Sequence, residues 1–258
     1  MNKACLALIA AALFGLAALP HAAHADLITN GNFENTTPAA GAPANTTTGW
    51  ISPYVDVQVT GWTANNAAFL FSAGSGDTTG VTTRWDGSTI KFWGPNNNVN
   101  NGFTAASPAG GNFVALDADA GSQSSISQTI TGLTVGSTYQ VGFYYAFAQE
   151  MGYTNTSIPT LTVSLGNESD LLGGNILPSE GFSGWMYVTE TFTATATSEV
   201  LTFLADGNDA APPFALLDGV TMNEVPEPAT FTVLGTGLLA IGYVTRRRIR
   251  QQTNTNNA

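Results

Sequence analysis

The sequence predicts an all-β fold, a β-sandwich or jelly roll, for most of its 258 residues. Short runs in which apolar and polar residues alternate recur along residues 26–224, and a period of two is typical of strands with one buried face. Gly, Asn, Asp and Ser separate these runs, as turns require. No stretch between the two termini has helical periodicity. A segment of this length is sufficient for one sandwich with a sizeable core.

The alternation also assigns side chains to faces. One strand is expected to bury Val141, Phe143, Tyr145 and Phe147 and to turn Gln140, Gly142 and Tyr144 the other way. Residues 160–165 form another strand, with Leu161, Val163 and Leu165 on one face. Further strands are expected over residues 55–62, 112–116, 124–130, 186–194, 200–205 and 214–222. Residues 36–49 and 96–110 break the rhythm and are expected to be long surface loops, either disordered or the rim of a binding surface.

The composition of the predicted domain excludes several classes of function. Residues 26–225 contain 17 acidic residues and two basic ones, Arg84 and Lys91, and neither histidine nor cysteine, so the net charge is −15. The missing residue types exclude Ser-His-Asp and Cys-His nucleophiles, a Cys/His zinc site and disulfide bonds. Phosphate contacts need clustered cations, which argues against nucleic-acid binding. The composition therefore favours an acidic module that is not an enzyme.

The N-terminus has the pattern of a secretory signal peptide. Residues 1–25 start with Lys3, continue as an apolar run over residues 5–19 and end at Ala23-His24-Ala25, an A-x-A cleavage site. We expect cleavage after Ala25, which leaves a mature chain that begins at Asp26.

The C-terminus has three parts in order. These are Pro226-Glu227-Pro228, an apolar run over residues 229–244, and an arginine cluster that includes Arg246, Arg247 and Arg248. The sixteen residues of the apolar run rise about 24 Å as a helix, slightly less than a hydrocarbon core of about 30 Å, and snorkelling arginines make up part of the difference. The arginines would stay on the cytoplasmic side, so we expect a transmembrane helix with the acidic domain outside.

This layout resembles the PEP-CTERM sorting signal of Gram-negative bacteria. The resemblance covers residues 225–250 and implies recognition by an exosortase-type membrane protease, loss of the tail, and export to the cell envelope, the cell surface or a biofilm matrix. The polar extension of residues 251–258 departs from the pattern, since such signals usually end soon after the arginines.

The middle of the chain resembles the galactose-binding-like jelly rolls of many carbohydrate-binding modules. The resemblance is carried, in order, by residues 30–34 (NGNFE), 113–117 (FVALD), 126–133 (ISQTITGL), 139–143 (YQVGF) and 217–220 (LDGV). It implies a jelly-roll sandwich of two antiparallel sheets over residues 26–224, often one structural Ca²⁺, and frequently sugar binding.

Carboxylates at two of these segments match the family's calcium position. In such domains the metal often bridges the loop after the first strand and the last strand, which here places Glu34 and Asp218 as ligands. Calcium favours six to eight oxygen ligands. The alternative is a pair of ordinary carboxylates that are solvated or hydrogen-bonded at a strand end.

Sugar recognition needs flat aromatic faces with a few polar groups beside them. Trp85, Trp93 and Tyr144 are the candidates: the tryptophans flank the two basic residues and precede an Asn-rich loop, and Tyr144 lies on a polar strand face. The alternative is burial in the core, which we expect for Trp62 and Trp185.

Two close carboxylate pairs are the only candidates for catalysis, as glycoside hydrolysis needs neither His nor Cys. The pairs are Asp117 with Asp119 and Asp206 with Asp209. The first pair lies at a strand end beside Gly121, which suits a turn or a second cation site.

The sequence therefore predicts an exported, non-catalytic surface or matrix protein that binds extracellular polysaccharide or is embedded in it. A purely structural matrix protein and an adhesin that binds another protein through its loops are the alternatives, and a glycoside hydrolase is a remote one.

Overall fold

The computed structural model of the chain describes residues 26–51, 56–84, 86–207 and 212–226, together with residues 241, 243, 245 and 246. The described residues between 26 and 226 form strands and a short 3₁₀ helix, Pro95–Asn97. The first strands are β1 (Thr36–Pro38), β2 (Gly49–Trp50), β3 (Val57–Val59), β4 (Thr63–Asn65), β5 (Ala68–Phe71), β6 (Val81–Thr82) and β7 (Thr89–Ile90). The others are β8 (Phe113–Asp117), β9 (Ser125–Thr131), β10 (Thr138–Gln149), β11 (Thr160–Leu165), β12 (Glu168–Gly173), β13 (Met186–Thr193), β14 (Ser198–Asp206) and β15 (Pro213–Glu224). His24–Val225 is one compact unit.

Strands β8 to β15 have the arrangement of an eight-stranded jelly roll. Four lie side by side in the order β8-β15-β10-β13, and four in the order β9-β14-β11-β12. Consecutive strands therefore alternate between two sheets, except at the β11–β12 hairpin. Strands β5 and β2 extend the first sheet to six strands, β4 extends the second to five, and all of these pairings are antiparallel. The predicted jelly-roll sandwich is confirmed.

The main core lies between the two sheets, on the faces that the alternation predicts. Phe143 of β10 and Val163 of β11 have no exposed surface, and Phe143 meets Phe203 of β14 edge to face with ring centroids 4.9 Å apart. Trp62 is 7% exposed and packs against Phe33, with ring centroids 5.3 Å apart. Its predicted place in the core is confirmed, although it follows a turn because the strand expected over residues 55–62 is described only as Val57–Val59.

A second apolar core lies on the outer face of the six-stranded sheet. Ala146 of β10 and Phe214 of β15 belong to its floor, and Phe92 and Phe103 belong to the chain segment of residues 72–112 that covers it. The ring centroids of Phe92 lie 5.7 Å from Phe103 and 5.4 Å from Phe214. We call this segment the cover.

The two predicted surface loops need correction. Residues 36–49 begin with β1, which pairs with β3. Residues 96–110 belong to the cover, and their Phe103 is only 5% exposed. Both stretches are polar on average. In the first, the prediction missed a short strand whose partner is distant in sequence; in the second, it missed a single buried aromatic ring, Phe103.

The signal peptide predicted over residues 1–25, with its cleavage residues Ala23 and Ala25, lies outside the described residues. The transmembrane helix predicted over residues 229–244 lies outside them too, apart from Ile241 and Tyr243, which have helical backbone. Within the described part of the chain, no helix is both long and apolar enough to cross a membrane.

Candidate functional site

Two tyrosines lie side by side on the outer face of the six-stranded sheet, in the half that the cover leaves uncovered. As predicted, Tyr144 points away from Phe143 and the sandwich core. Its cross-strand partner on β13 is Tyr187, which is 55% exposed. The two ring centroids are 5.0 Å apart and the ring planes meet at 57°. We call this surface the open face; its other outward residues are Gln140, Gly142, Thr189, Thr191, Thr221 and Asn223.

Because residue 142 is a glycine, the side chain of Tyr187 can lie against the backbone of β10. A Cβ atom at Gly142 would be 2.3 Å from the Tyr187 hydroxyl and 3.1 Å from Oγ1 of Thr221. A glycine inside a strand commonly marks such a close approach. The open face therefore combines two aromatic rings with amide and hydroxyl groups, and none of its exposed side chains is charged.

Trp93, the second aromatic candidate, lies at the opposite end of β10. Its backbone N–H donates to the Gln149 carbonyl at 3.1 Å, and its indole Nε1 donates to the Tyr153 carbonyl at 2.7 Å. Trp93 is half-buried and Tyr153 is 41% exposed. The structure therefore places Trp93 next to Tyr153. Trp85, the other tryptophan of the predicted pair, lies outside the described residues.

Three carboxyl groups lie near Tyr153. Burial raises the pKa of Glu150 to about 7, and the charge of Asp117 adds to the rise. Burial also raises the pKa of Asp117. The charge of Glu150, followed by burial and the charges of Asp117 and Asp119, raises the pKa of Tyr153. This end of the sandwich is therefore acidic, unlike the open face.

Asp117 and Asp119 serve the turn that the sequence indicated. The Asp119 N–H donates to Oδ1 of Asp117 at 2.9 Å, and the Gly121 N–H donates to Oδ1 of Asp119 at 2.7 Å. Oδ1 of Asp206 likewise accepts from the Gly207 N–H at 2.8 Å. Asp209 lies outside the described residues.

Asp218, one of the two predicted calcium ligands, is fully buried beside the open face. It is the cross-strand partner of Tyr144, and it has no exposed surface because the end of the cover lies over it. Its Oδ1 accepts from the Gly219 N–H at 2.6 Å, whereas its Oδ2 is buried without a hydrogen-bond partner. Burial raises the pKa of Asp218 to about 7; the charge of Glu34 adds to the rise, and the neighbouring Ser107 hydroxyl and the Gly219 N–H oppose it.

Glu34 contacts the same end of the cover as Asp218 does. Its Oε1 accepts from the Asn112 backbone N–H. A Cβ at Gly111, which has a φ of +75°, would meet that oxygen at 1.9 Å. The exposed Glu34 and the buried Asp218 thus both lie next to the 107–112 segment, and the charge of Glu34 is near enough to act on Asp218.

Glu34 and Asp218 could supply only some of the ligands that a cation needs. The unpaired buried oxygen of Asp218 next to a second carboxylate is the chemistry that calcium requires. Among the described residues, no group of three or more His, Cys, Asp or Glu side chains is placed to hold a metal ion. Backbone and amide oxygens would therefore have to supply the remaining ligands.

Sequence reasoning missed two residues of these surfaces. Tyr187 becomes significant only through its pairing with Tyr144, and the register of β13 on β10 is not readable from the sequence. Glu150 lies just beyond β10, and no local pattern separates it from a solvated carboxylate. The burial that raises its pKa comes from the tertiary fold.

Solved structures of low identity resemble the chain. It is similar to the enzymatically active domain of bacteriophage CBA120 tailspike protein 4, with 14% identity over 78% of this chain and a TM-score of 0.35. It is similar to TmCBM61 in complex with β-1,4-galactotriose, with 15% identity over 78% of this chain and 99% of that chain and a TM-score of 0.37. A CBM4 structure shows 18% identity over 65% of this chain and 97% of that chain, with a TM-score of 0.34. The chain spans only 21% of the tailspike domain. No curated protein matches the chain.

The C-terminal motif begins at the last strand. The Val225 N–H donates to the Thr138 carbonyl at 2.8 Å, and Pro226 follows. Of the other predicted sorting residues, Arg246 has helical backbone, and Glu227, Pro228, Arg247 and Arg248 lie outside the described residues. The family model of the PEP-CTERM protein-sorting motif matches residues 224–248. The chain is therefore a jelly-roll protein that carries a PEP-CTERM sorting motif, the mark of an exported protein.

Proposed function

We propose that this chain is an exported, non-catalytic surface or matrix protein whose jelly-roll domain binds extracellular polysaccharide through the open face. The observation that carries the proposal is the Tyr144–Tyr187 pair on a sheet face whose exposed side chains are uncharged. Aromatic rings stack on the C–H faces of sugar rings, and neighbouring amides and hydroxyls exchange hydrogen bonds with sugar hydroxyls. A neutral face on a domain of charge −15 also suits a neutral or acidic glycan better than a carboxylate-lined surface does.

The test is affinity electrophoresis of residues 26–225 in gels that contain polysaccharide from the producing bacterium. We expect retardation that is lost in Tyr144→Ala and in Tyr187→Ala and largely kept in the corresponding Phe variants. Tyr153→Ala is the matched control, because Tyr153 is a partly exposed tyrosine at the acidic end. Equal retardation of all variants would place binding elsewhere. No retardation by any polysaccharide would favour the purely structural matrix protein or the adhesin.

Trp85 and Trp93 are a second candidate surface under the same proposal. Trp93 donates its indole N–H to the chain, so only part of its ring is available to a sugar. We expect Trp93→Ala to weaken retardation less than Tyr144→Ala does. The reverse order would move the site to the Trp93 end of the sandwich, and a large loss in Trp85→Ala would assign Trp85 to the site.

We also propose one structural Ca²⁺ at Glu34 and Asp218. It would neutralise the charges of Glu34 and Asp218, give the Asp218 Oδ2 a partner and fix residues 107–112 next to Tyr144. Calorimetry should show a lower melting temperature in chelator and recovery with calcium, and polysaccharide binding should weaken in chelator. Asp218→Asn should remove both responses, whereas Asp206→Asn, at a strand end far from Glu34, should keep them. A melting temperature that calcium leaves unchanged removes this part of the proposal.

Processing completes the proposed function. An exosortase-type membrane protease would remove the tail after export, which frees the domain from the membrane. Mass spectrometry of the mature protein should find its N-terminus at Asp26 and its C-terminus near Pro226. A mature protein that retains residues 246–250 would instead be a permanently anchored one.

Glycoside hydrolysis is a second candidate that one observation favours. Glu150 has the raised pKa of a general acid, and Asp117 is near enough for its charge to contribute. Both Asp117 oxygens accept hydrogen bonds within the 117–122 turn, which suits a structural role better. Release of reducing sugars that disappears in Glu150→Gln would establish the enzyme.

A further inference from the structure

The polar side chains of the open face are amides and hydroxyls, and each of these groups contains both a hydrogen-bond donor and an acceptor. They belong to Gln140, Thr189, Thr191, Thr221 and Asn223. A sugar hydroxyl is also both a donor and an acceptor, so it can pair with such a group in either direction. A carboxylate or a sulfate ester only accepts, and its strong protein partners are Arg and Lys.

The two cations of residues 26–225 both belong to the cover, and the first of them is far from the open face. Arg84 lies next to Asp56, with its Nε 3.8 Å from Oδ1. The other oxygen of Asp56 accepts from the backbone N–H of Trp50, in β2, at 2.9 Å. In the order of the six-stranded sheet, β2 is four strands away from β10, which is a distance of about 19 Å.

The second cation, Lys91, has its backbone at the acidic end. Its carbonyl accepts from the Met151 N–H at 2.8 Å, and Met151 follows Glu150, just beyond β10. Six positions separate Glu150 from Tyr144, which is about 20 Å of extended chain. The Debye length at physiological ionic strength is about 8 Å, so the attraction of either cation for an anionic ligand on the open face is largely screened.

Carboxyl groups, by contrast, lie beside the open face. Asp218 is the cross-strand partner of Tyr144, and the charge of Glu34 is near enough to act on Asp218. Glu190 is half-buried within β13, and Glu224 is the last residue of β15. The potential over the open face is therefore negative, although its own exposed side chains are uncharged.

Two cations that belong to the proposed function leave this sign unchanged. A Ca²⁺ at Glu34 and Asp218 would offset those two carboxylates and add no excess positive charge. Cleavage after Ala25 would create an α-ammonium group at Asp26, and the carboxylate of the same residue offsets it. That carboxylate is held beside β15, where its Oδ1 accepts from the Met222 N–H at 2.8 Å.

We infer that the open face binds polysaccharide built of uncharged sugars and rejects polysaccharide that carries uronate, sulfate or phosphate groups. The inference rests on the proposed function and names the class of its ligand. An uncharged face by itself admits neutral and acidic glycans alike. The surrounding carboxylates and the distance of both cations favour the neutral ones, because an anionic sugar would enter a negative potential and find no cationic donor.

A matched pair of polymers tests the inference. The neutral fraction of the bacterium's polysaccharide is oxidised at a small share of its primary hydroxyls, which turns those sugars into uronates on an unchanged backbone. Affinity electrophoresis of residues 26–225 is run in gels of either polymer, with Tyr144→Ala as the reference for mobility without binding. We expect the affinity for the oxidised polymer to be roughly tenfold lower. Methyl esterification of the new carboxyls removes their charge and should restore the affinity.

Two lysine variants of equal charge supply the second comparison. Thr191→Lys adds a cation to the open face, and Thr129→Lys adds one at an exposed position of β9, in the five-stranded sheet. Thr191→Lys should recover most of the affinity for the oxidised polymer, whereas Thr129→Lys should recover little, because salt screens the more distant charge. Equal recovery in the two variants would count against selection at the open face.

Other outcomes would overturn the inference and leave glycan binding intact. These are equal affinity for the neutral and the oxidised polymer, retardation by the acidic fraction alone, and tighter binding of the oxidised polymer than of the neutral one when calcium is added. An affinity that esterification does not restore would assign the loss to the altered hydroxyls and not to charge. No retardation by any of these polymers would contradict the proposed function itself, and this inference with it.

Discussion

The outer face of the six-stranded sheet has a covered half and an open half, built on the same two strands. On β10 the outward side chains are Gln140, Gly142 and Tyr144 in the open half and Ala146 and Ala148 in the covered half. All five share one parity of a single strand. The two halves differ in what they bury, and they meet where the register of β15 on β10 shifts, between Gly142 and Tyr144.

The border of the cover coincides with a change on β10 from Gln140, Gly142 and Tyr144 to two alanines. Alanines at 146 and 148 leave room on the sheet for the ring of Phe92, which packs from the cover against Phe214 of β15. Tyr144 stands at the border, where its ring atoms come within 3.2 Å of a Cβ built on Gly219. In this sandwich one half of a sheet face is buried beneath the cover, and the other half is left uncovered, as the proposed glycan binding requires.

The largest expected effect comes from removing the ring at the centre of the covered half. Phe92 has no exposed surface and packs against Phe71, Phe103 and Phe214. Phe92→Ala should lower the free energy of unfolding by about 3–5 kcal/mol in urea denaturation, because it deletes a buried ring and leaves a cavity. Tyr187→Ala, on the open half, is the control and should cost less than about 1 kcal/mol. Similar losses for both variants would show that the open half is also structural.

An intermediate effect is expected at Glu150, where the covered half ends. The pKa of this carboxyl is about 7 in the folded chain against 4.5 as the ordinary value. Deprotonation therefore favours the unfolded chain, so the cost begins above pH 4.5 and is complete above about pH 7. Glu150→Gln should be more stable than the wild type by about 1–2 kcal/mol at pH 8 and equal to it at pH 4. A difference in stability between Glu150→Gln and the wild type that is the same at pH 4 and pH 8 would count against the desolvated carboxyl.

The smallest effect on stability, with a clear effect on binding, is expected from Gly142→Ala. The added Cβ would meet the Tyr187 hydroxyl at 2.3 Å, which displaces the end of a side chain and leaves the backbone in place. The free energy of unfolding should change by less than about 1 kcal/mol. Retardation by polysaccharide should fall several-fold, since Tyr187 would move relative to Tyr144. Unchanged retardation would mean that the geometry of the tyrosine pair is unimportant for the glycan.

Several features of the fold could be predicted because they depend on neighbours in sequence. The burial of Val141 and Phe143, the orientation of Tyr144 toward the other face and the strand at residues 160–165 all follow from a period of two. The turn role of Asp117 and Asp119 follows from the short reach of an aspartate side chain to the next backbone N–H groups. The sorting motif needs no fold at all, because its order of segments is linear.

Other features depend on contacts between distant residues. The pairing of Tyr187 with Tyr144 needs the register of β13 on β10, 43 positions apart in sequence. The burial of Phe103, and with it the correction of the predicted surface loop, needs the floor that β10 and β15 supply. The elevated pKa values of Glu150 and Asp218 come from desolvation, which depends on what covers a group in three dimensions.

The sequence by itself determined the class of fold, the absence of His and Cys from the exported domain, its negative charge and the sorting motif, because composition, alternation and linear order are local properties. Only the tertiary structure decided which half of a sheet face is covered, which tyrosine stands beside Tyr144 and how the cover buries Asp218. Those outcomes depend on strand register and on the path of the cover, and both are set by the packing of segments far apart in the chain.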